Sequence, residues 1–338
     1  MARSWLRVTR GRVVVLAVLG LAAGGFFAAR AGWRWAQHRR PNRPLPRLDP
    51  VTVVPDAASA CPSFSKPERV ATIGAPGLEE ASGLAASTKN PGVFWTHNDS
   101  GDAARGYALA LDGRILATLE VERAGAHDWE DVAIAPGPGG APHLYFADTG
   151  NNVLPRRRVV VYRVAEPTID STTTAAALRG EATPLPLELP DAAPHDCEAI
   201  LVDPPTGALY LFSKTDAAVT GVFVARAPRD REPTQLAEAL ALRLPRRSKR
   251  GSGAVTAASI APAGELVAVR TYAEAYLWRR QPGEPLEAAL ARPPCEAPVA
   301  AERQGEAIAL LPGGDGFVTV TETGPGQPPP LHLVRWSP

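Results

Sequence analysis

From about residue 69 the chain alternates short apolar runs with turn residues, and one pattern returns five times. Each copy opens on a polar residue, runs through four or five mostly apolar positions and ends at a turn. The copies are "EASGLAA" from Glu80, "EDVAIAP" from Glu130, "EAILVDP" from Glu198, "TAASIAP" from Thr256 and "EAIALLP" from Glu306. Apolar runs this short, bounded by Gly, Pro, Asn and Asp, predict strands rather than helices. A second run follows each copy and ends in a polar cluster ("GVFWTHNDSGD", "LYFADTGNN", "LYLFSKTD", "LVAVRTY", "FVTVTET"). A third follows that ("RGYALALDG", "RVVVYRVAEP", "GVFVARAP", "EAYLWRRQPGE", "LHLVRWSP"). The first four copies add a weaker fourth strand, as in "RILATLEVE" after Asp112-Gly113.

Four antiparallel strands per repeat predict an all-β fold, a β-propeller of five blades. The stretches 165–195 and 225–254 are long enough to hold a degenerate blade, so six is the alternative count. The fifth copy ends after its third strand. "ERVATIG", Glu68 to Gly74, precedes the first copy and is expected to supply the missing strand, closing the ring and removing its open edge.

Topology then places the polar residues. The first strand of a blade lies innermost, and its start shares a face with the end of the second. Glu80, Glu130, Glu198, Thr256 and Glu306 are expected to ring one mouth of the central channel, with His97, Asp148, Lys214, Arg270 and Glu322 in a neighbouring ring. Asn98, Asp99, Asn151, Asn152, Asp216 and Tyr272 fall just beyond. Such a mouth offers oxygen ligands for Ca2+ or paired carboxylates for ester hydrolysis. The plainer reading is architectural: the repeated Glu bonds strand ends or pairs with Lys214 and Arg270. Trp95 and Trp129 are expected to pack between blades. His195 and Cys197 stand two residues apart, unlike the partners of a cysteine hydrolase, which meet from distant chain positions.

The first sixty residues follow a different pattern. Arg3, Arg7, Arg10 and Arg12 form a basic tail over 1–12 and precede an uncharged apolar run, Val13 to Ala29, with Trp33 and Trp35 after it. Residues 13–35 therefore predict a single membrane-spanning signal anchor, or a signal peptide cleaved near Ala29-Arg30-Ala31. Residues 36–60 are Pro-rich without apolar periodicity and read as a stiff spacer, leaving 61–338 for the propeller. Charge divides the same way. The chain is +1 overall, but residues 1–50 carry ten Arg against one Asp, so the body is acidic and lacks the basic patch that nucleic-acid binding needs. Of three cysteines, Cys61 and Cys295 lie in Pro-containing loops, and the closing strand would bring Cys61 toward the last blade, an expected disulfide. Cys197 reads as a buried hydrophobe. The basic loop "RRSKRGSG" from Arg246 is expected to be solvated.

The stretch "EASGLAAS…VFWTHNDSGD…YALALDGRILATLEVE…DWEDVAIAP…LYFADTGNN" resembles the opening blades of the SdiA-regulated propellers and the related esterase-like phytase propellers, closely over residues 78–152 and in outline beyond. The resemblance implies an exported or membrane-anchored propeller, in some members with calcium. It carries Glu130, Asp131, Asp148 and Asn151 over as rim and metal positions. Lys214 and Arg270 depart from it and favour an off-centre site near the first two blades. Together these readings predict a monomeric, membrane-anchored, extracytoplasmic module, binding a protein or small molecule and stabilised by Ca2+. It would be secreted if the N-terminal segment is cleaved. The alternative is a hydrolase of phosphate or carboxylate esters.

Overall fold

The computed structural model joins the inner strands of the five copies in a closed ring, each carrying its own antiparallel sheet outward. It describes residues 43–338 except 58–60, 75–76, 79, 100, 152–154, 171, 173–174, 216, 246–252, 303, 324–326 and 338. The expected anchor at 13–35, Asn152, Asp216 and the basic loop at 246–250 lie outside the described residues. No described helix is long and apolar enough to cross a membrane.

Blade 1 runs Ala81–Ala86, Val93–Asn98, Arg105–Ala110 and Ile115–Glu122 from the axis outward. Blade 2 is Trp129–Pro136, Pro142–Asp148, Arg158–Ala165 and Thr183–Glu188. Blade 3 is Cys197–Val202, Leu209–Ser213, Val219–Ala225 and Ala237–Arg243. Blade 4 is Val255–Ile260, Leu266–Thr271, Ala275–Arg279 and the short Cys295–Ala297. Blade 5 is Gly305–Leu310, Gly316–Thr321 and Pro330–Ser337, and Glu68–Thr72 pairs antiparallel with the last of these as the closing strand.

The two long insertions hold no sixth blade. Ala176–Glu181 pairs in parallel with Ile115–Glu122, and Thr234–Gln235 with Thr183–Glu188. Each excursion thus covers the outer edge of the preceding blade, which blunts an edge otherwise open to pairing with another chain.

The apolar positions form five clusters, each between two neighbouring blades. An inner strand packs on both faces, so it reads as a continuous apolar run rather than a strict alternation. Between blades 1 and 2, Trp95 and Trp129 are fully buried, and Trp129 stacks on Phe146 at 4.7 Å between ring centroids. Burying side chains of this size contributes roughly 1.5–3 kcal/mol each, so the ring is held by its five interfaces.

The N-terminal segment belongs to the propeller from Arg43, earlier than the boundary at residue 61 that composition suggests. Val51–Thr52 adds in parallel to Leu242 and Arg243 of blade 3, and Val53 N–H bonds Arg243 O at 2.9 Å. Asp56 N–H reaches Pro294 O, Cys61 is bonded to Cys295, and Ser63–Phe64 pairs with Trp336 and Ser337. This strap crosses the outer edges of blades 3, 4 and 5 in turn. Its prolines lack N–H groups and keep the chain extended, which suits an edge and stops the ladder there.

The disulfide spans 234 residues of sequence, so it restricts the unfolded chain strongly. Replacing both Cys61 and Cys295 by Ser is expected to lower stability by about 2–5 kcal/mol. Chemical unfolding in urea would show it as a lower midpoint with a steeper slope, because the unfolded chain freed of the cross-link exposes more surface. Cys197, buried with its thiol pKa pushed up by burial, should stay unreactive to thiol reagents until unfolding.

Candidate cation site at the channel mouth

All five inner strands carry a β-bulge at the same place. The register with the second strand skips Gly83 in blade 1, Glu130 in blade 2, Glu198 in blade 3, Thr256 in blade 4 and Glu306 in blade 5. A bulge leaves one residue outside the ladder and re-aims its side chain. Here the residues skipped in blades 2–5 are the motif residues Glu130, Glu198, Thr256 and Glu306. Blade 1 differs from the expected ring. Its equivalent is Gly83, and Glu80 lies three residues earlier, half-buried, before the strand. Gly83 has φ +41°, and a Cβ there would come within 2.6 Å of both His97 Nε2 and Val132 N. Only glycine fits where the inner strand of blade 2 crosses that bulge.

The second ring shifts in the same way. The residues paired with the position just before each bulge are His97, Asp148, Ser213, Thr271 and Thr321. Lys214 and Glu322 fall one position beyond. Arg270 falls one before, and its side chain points between blades 4 and 5. There it donates to Ala307 O at 2.7 Å and forms an ion pair with Glu302, which also meets His332 Nδ1 at 2.8 Å. Glu302 is the partner that the sequence pattern did not suggest.

The carboxylates gather off the axis, beside blades 1, 2 and 3. Ligand oxygens of Asp99, Asp128 and Glu130 lie within 4.8 Å of one another, and so do those of Glu130, Asp196 and Glu198. Glu130 belongs to both trios. All but Asp99 are nine-tenths buried or more. Burial first, then the charges of Glu198, Asp99, Asp128 and Asp196, push the Glu130 pKa well above its ordinary value. Lys214 donates to Glu198 Oε2 at 2.7 Å and lies 4.9 Å from the centre of the Tyr272 ring. Burial opposes the charge of Lys214, but Glu198, Tyr272 and Glu306 hold its pKa well above normal. Glu198 Oε1, equally buried, accepts no hydrogen bond among the described residues. Gly150 completes the cradle: a Cβ there would stand 1.9 Å from Glu130 Oε1 and 2.6 Å from Asp128 Oδ2.

The other expected positions have different surroundings. Asp148 takes Arg156 Nη1 at 2.9 Å, the Asp128 amide at 3.1 Å and His127 Nδ1 at 3.1 Å. Asn151 donates to His195 O at 2.6 Å and accepts the Arg156 amide at 2.7 Å. Both therefore hold the turn around the trios. Asp131 lies deeper in the channel, where its carboxylate accepts the amides of Val132 at 2.8 Å, Ile200 at 3.0 Å and Ala258 at 3.3 Å. It ties blade 2 to the inner strands of blades 3 and 4. His97 is fully buried. Burial lowers its pKa to about 4, against the carbonyls of Asn98 and Asp131, so it is neutral at neutral pH. Asn98 bridges Gly77 O at 2.6 Å and Asp102 Oδ2 at 2.8 Å. Glu322 accepts from Gln304. Beyond the mouth, apolar inner-strand residues such as Leu84, Val132, Ile200 and Leu310 reduce the channel to a cavity of about 30 Å³.

The architecture is that of a five-bladed β-propeller with an acidic, off-centre channel mouth. Solved propellers align with it at low identity. The β-propeller domain of Cps50 (Swd1) from Myceliophteria thermophila aligns at 11% identity over 82% of this chain and all of that domain, with a TM-score of 0.39. A glucose dehydrogenase aligns at 11% over 82% of this chain and all of its own, TM-score 0.42. Sqt1 from Chaetomium thermophilum, solved bound to the N-terminus of a ribosomal protein, aligns at 14% over 75% of this chain and 61% of its own, TM-score 0.35. No protein-family model matches the chain, and no curated protein matches it.

Two outcomes follow from the mouth. Asp131→Ala should strand the buried amides of Ile200 and Ala258 and lower stability by about 2–4 kcal/mol, measured by urea unfolding. Burial, partly offset by Lys214, raises the Glu306 pKa to about 8 from an ordinary 4.5. A group raised in the folded state favours folding below its unfolded pKa and loses that contribution as pH rises through the folded one. Metal-free protein should therefore lose stability between about pH 4.5 and about 8. Glu306→Gln should flatten that part of the Tm–pH profile.

Proposed function

We propose that the protein is a cation-stabilised binding module, in which the paired trios around Glu130 hold Ca2+ and the mouth around them receives a partner. The observation that carries this reading is the sharing of Glu130 by two oxygen-only trios within 4.8 Å. Oxygens bound to one Ca2+ at about 2.3–2.6 Å are themselves no more than about 5 Å apart. All-carboxylate ligands suit a hard cation and not a soft one. Glu198 Oε1, buried and without a hydrogen bond among the described residues, is available to such an ion, and the missing side chain at Gly150 lets the carboxylates of Glu130 and Asp128 come together. Two nearby hydroxyls are already engaged: Ser82 Oγ donates to Glu130 O at 2.6 Å and Thr149 Oγ1 to Cys197 O at 2.7 Å. They are bound to the frame rather than poised as nucleophiles, so binding is favoured over ester hydrolysis.

The apolar run at 13–29 supports an anchor, with the propeller on the outer side of the membrane, and the Cys61–Cys295 bond accords with an oxidising compartment. Protease added to spheroplasts, whose outer envelope is removed, should release the propeller. Its protection there would place the domain inside.

Ca2+ at one hundred times its Kd should stabilise the protein by about 2.7 kcal/mol, seen as a rise in Tm that chelator reverses. Glu130→Gln should abolish the rise. Because the raised pKa of Glu130 makes protons compete with the ion, Ca2+ affinity should fall as pH is lowered. An unchanged Tm with and without Ca2+ would refute the reading.

A further inference from the structure

The mouth already contains a positive group from the strap. Arg43 Nη2 stands 2.9 Å from Asp196 Oδ2, where Arg43 is 17% and Asp196 3% exposed. Asp196 is a member of the second trio, with Glu130 and Glu198. Its other oxygen, Oδ1, accepts the Asn151 amide at 2.7 Å, so Oδ2 is the oxygen left for a ligand. Although Arg43 lies at ion-pair distance, Oδ2 accepts no directed hydrogen bond among the described residues. The contact is one of charge more than of geometry.

We propose that Arg43 is a tethered counter-cation for the Asp196–Glu198 corner of the mouth, and that a divalent cation binding there displaces it. The inference rests on the cation reading above and adds its regulation. A guanidinium and a Ca2+ ion repel one another and compete for the same carboxylate oxygen. Without the ion, Arg43 and Lys214 offset part of the buried negative charge. With the ion in place, Arg43 is no longer needed there.

The strap permits this exchange because it is fastened beyond Arg43. The Arg47 amide bonds Glu238 Oε2 at 3.0 Å and the Leu48 amide bonds Glu238 Oε1 at 2.9 Å. Arg47 Nε pairs with Asp191 at 2.9 Å, and Val51–Thr52 lies in the sheet of blade 3. Arg43 can leave Asp196 while these contacts keep the strap on the propeller.

The test is Ca2+ titration by calorimetry of the full chain in detergent, comparing wild type with Arg43→Gln, Arg43→Lys and Arg47→Gln. Removing a unit charge from beside the ion should tighten binding at least about tenfold in Arg43→Gln. Arg43→Lys, which keeps the charge, and Arg47→Gln should bind like wild type. In wild-type protein, Ca2+ should raise amide hydrogen exchange around Arg43 while leaving residues 51–53 protected, a readout that needs no variant. Equal Ca2+ affinity in wild type and Arg43→Gln, with exchange around Arg43 unchanged, would overturn the displacement and leave the cation site standing. Absence of Ca2+ binding in every protein would overturn the cation reading and the displacement with it.

Discussion

Carboxylates crowded into a buried corner cannot all be ionised unless positive charge stands among them. That constraint governs the mouth of this propeller. Asp99, Asp128, Glu130, Asp196 and Glu198 lie close together, and burial with mutual repulsion raises the Glu130 pKa. The protein meets part of the demand with Lys214 on Glu198 and Arg43 on Asp196. Desolvated charges tolerate only close, well-placed partners, which explains why the surrounding turn is bonded so fully. Arg156 holds Asp148 and Gly150 O, and Asn151 bonds the strand entering blade 3.

The fold delivers the crowding through a single repeated device. A bulge near the start of each inner strand moves one side chain out of the ladder and toward the mouth, and closure of the ring puts those side chains within reach of one another. The symmetry is then broken to make a particular site. Gly83 removes a side chain from blade 1, Thr256 is uncharged, and the acids from the turns, Asp99, Asp128 and Asp196, collect on the side of blades 1 to 3. Asp131 fixes the angular relation of three inner strands by bonding amides of two other blades. The strap and its disulfide bind the outside of the ring across blades 3, 4 and 5.

Much of this was legible in the chain. Five-fold recurrence of an apolar run followed by a polar cluster points to five blades, the sixth falling away only once the two insertions pair as edge strands, and the incomplete last copy points to Glu68–Thr72 as the closing strand. What the recurrence hid was a matter of register. Matching copies on their glutamates put Glu80 in the ring, whereas the backbone matches Gly83 to Glu130, because strand pairing follows the bulge and not residue type. The one-residue offset also turned Arg270 inward, since a one-residue slip along a strand reverses the face of its side chain. Asp128 and Asp196 precede their strands; they do recur, as "HDWE" from His127 and "HDCE" from His195, but a repeat counted from the glutamate onward leaves them out. Arg43 lay in a Pro-rich stretch whose composition describes stiffness and says nothing about where the stretch docks.

Cation binding at the Glu130 corner, as proposed above, can be read optically. Trp129 stands between Asp128 and Glu130 in the chain, so Tb3+ placed among these carboxylates in lieu of Ca2+ would sit close enough to be excited through the indole. Tryptophan-sensitised terbium emission measures that placement directly. Strong emission is expected, displaced by Ca2+ and lost in Glu130→Gln. Absence of sensitised emission, or emission unaltered by that substitution, would contradict cation binding there.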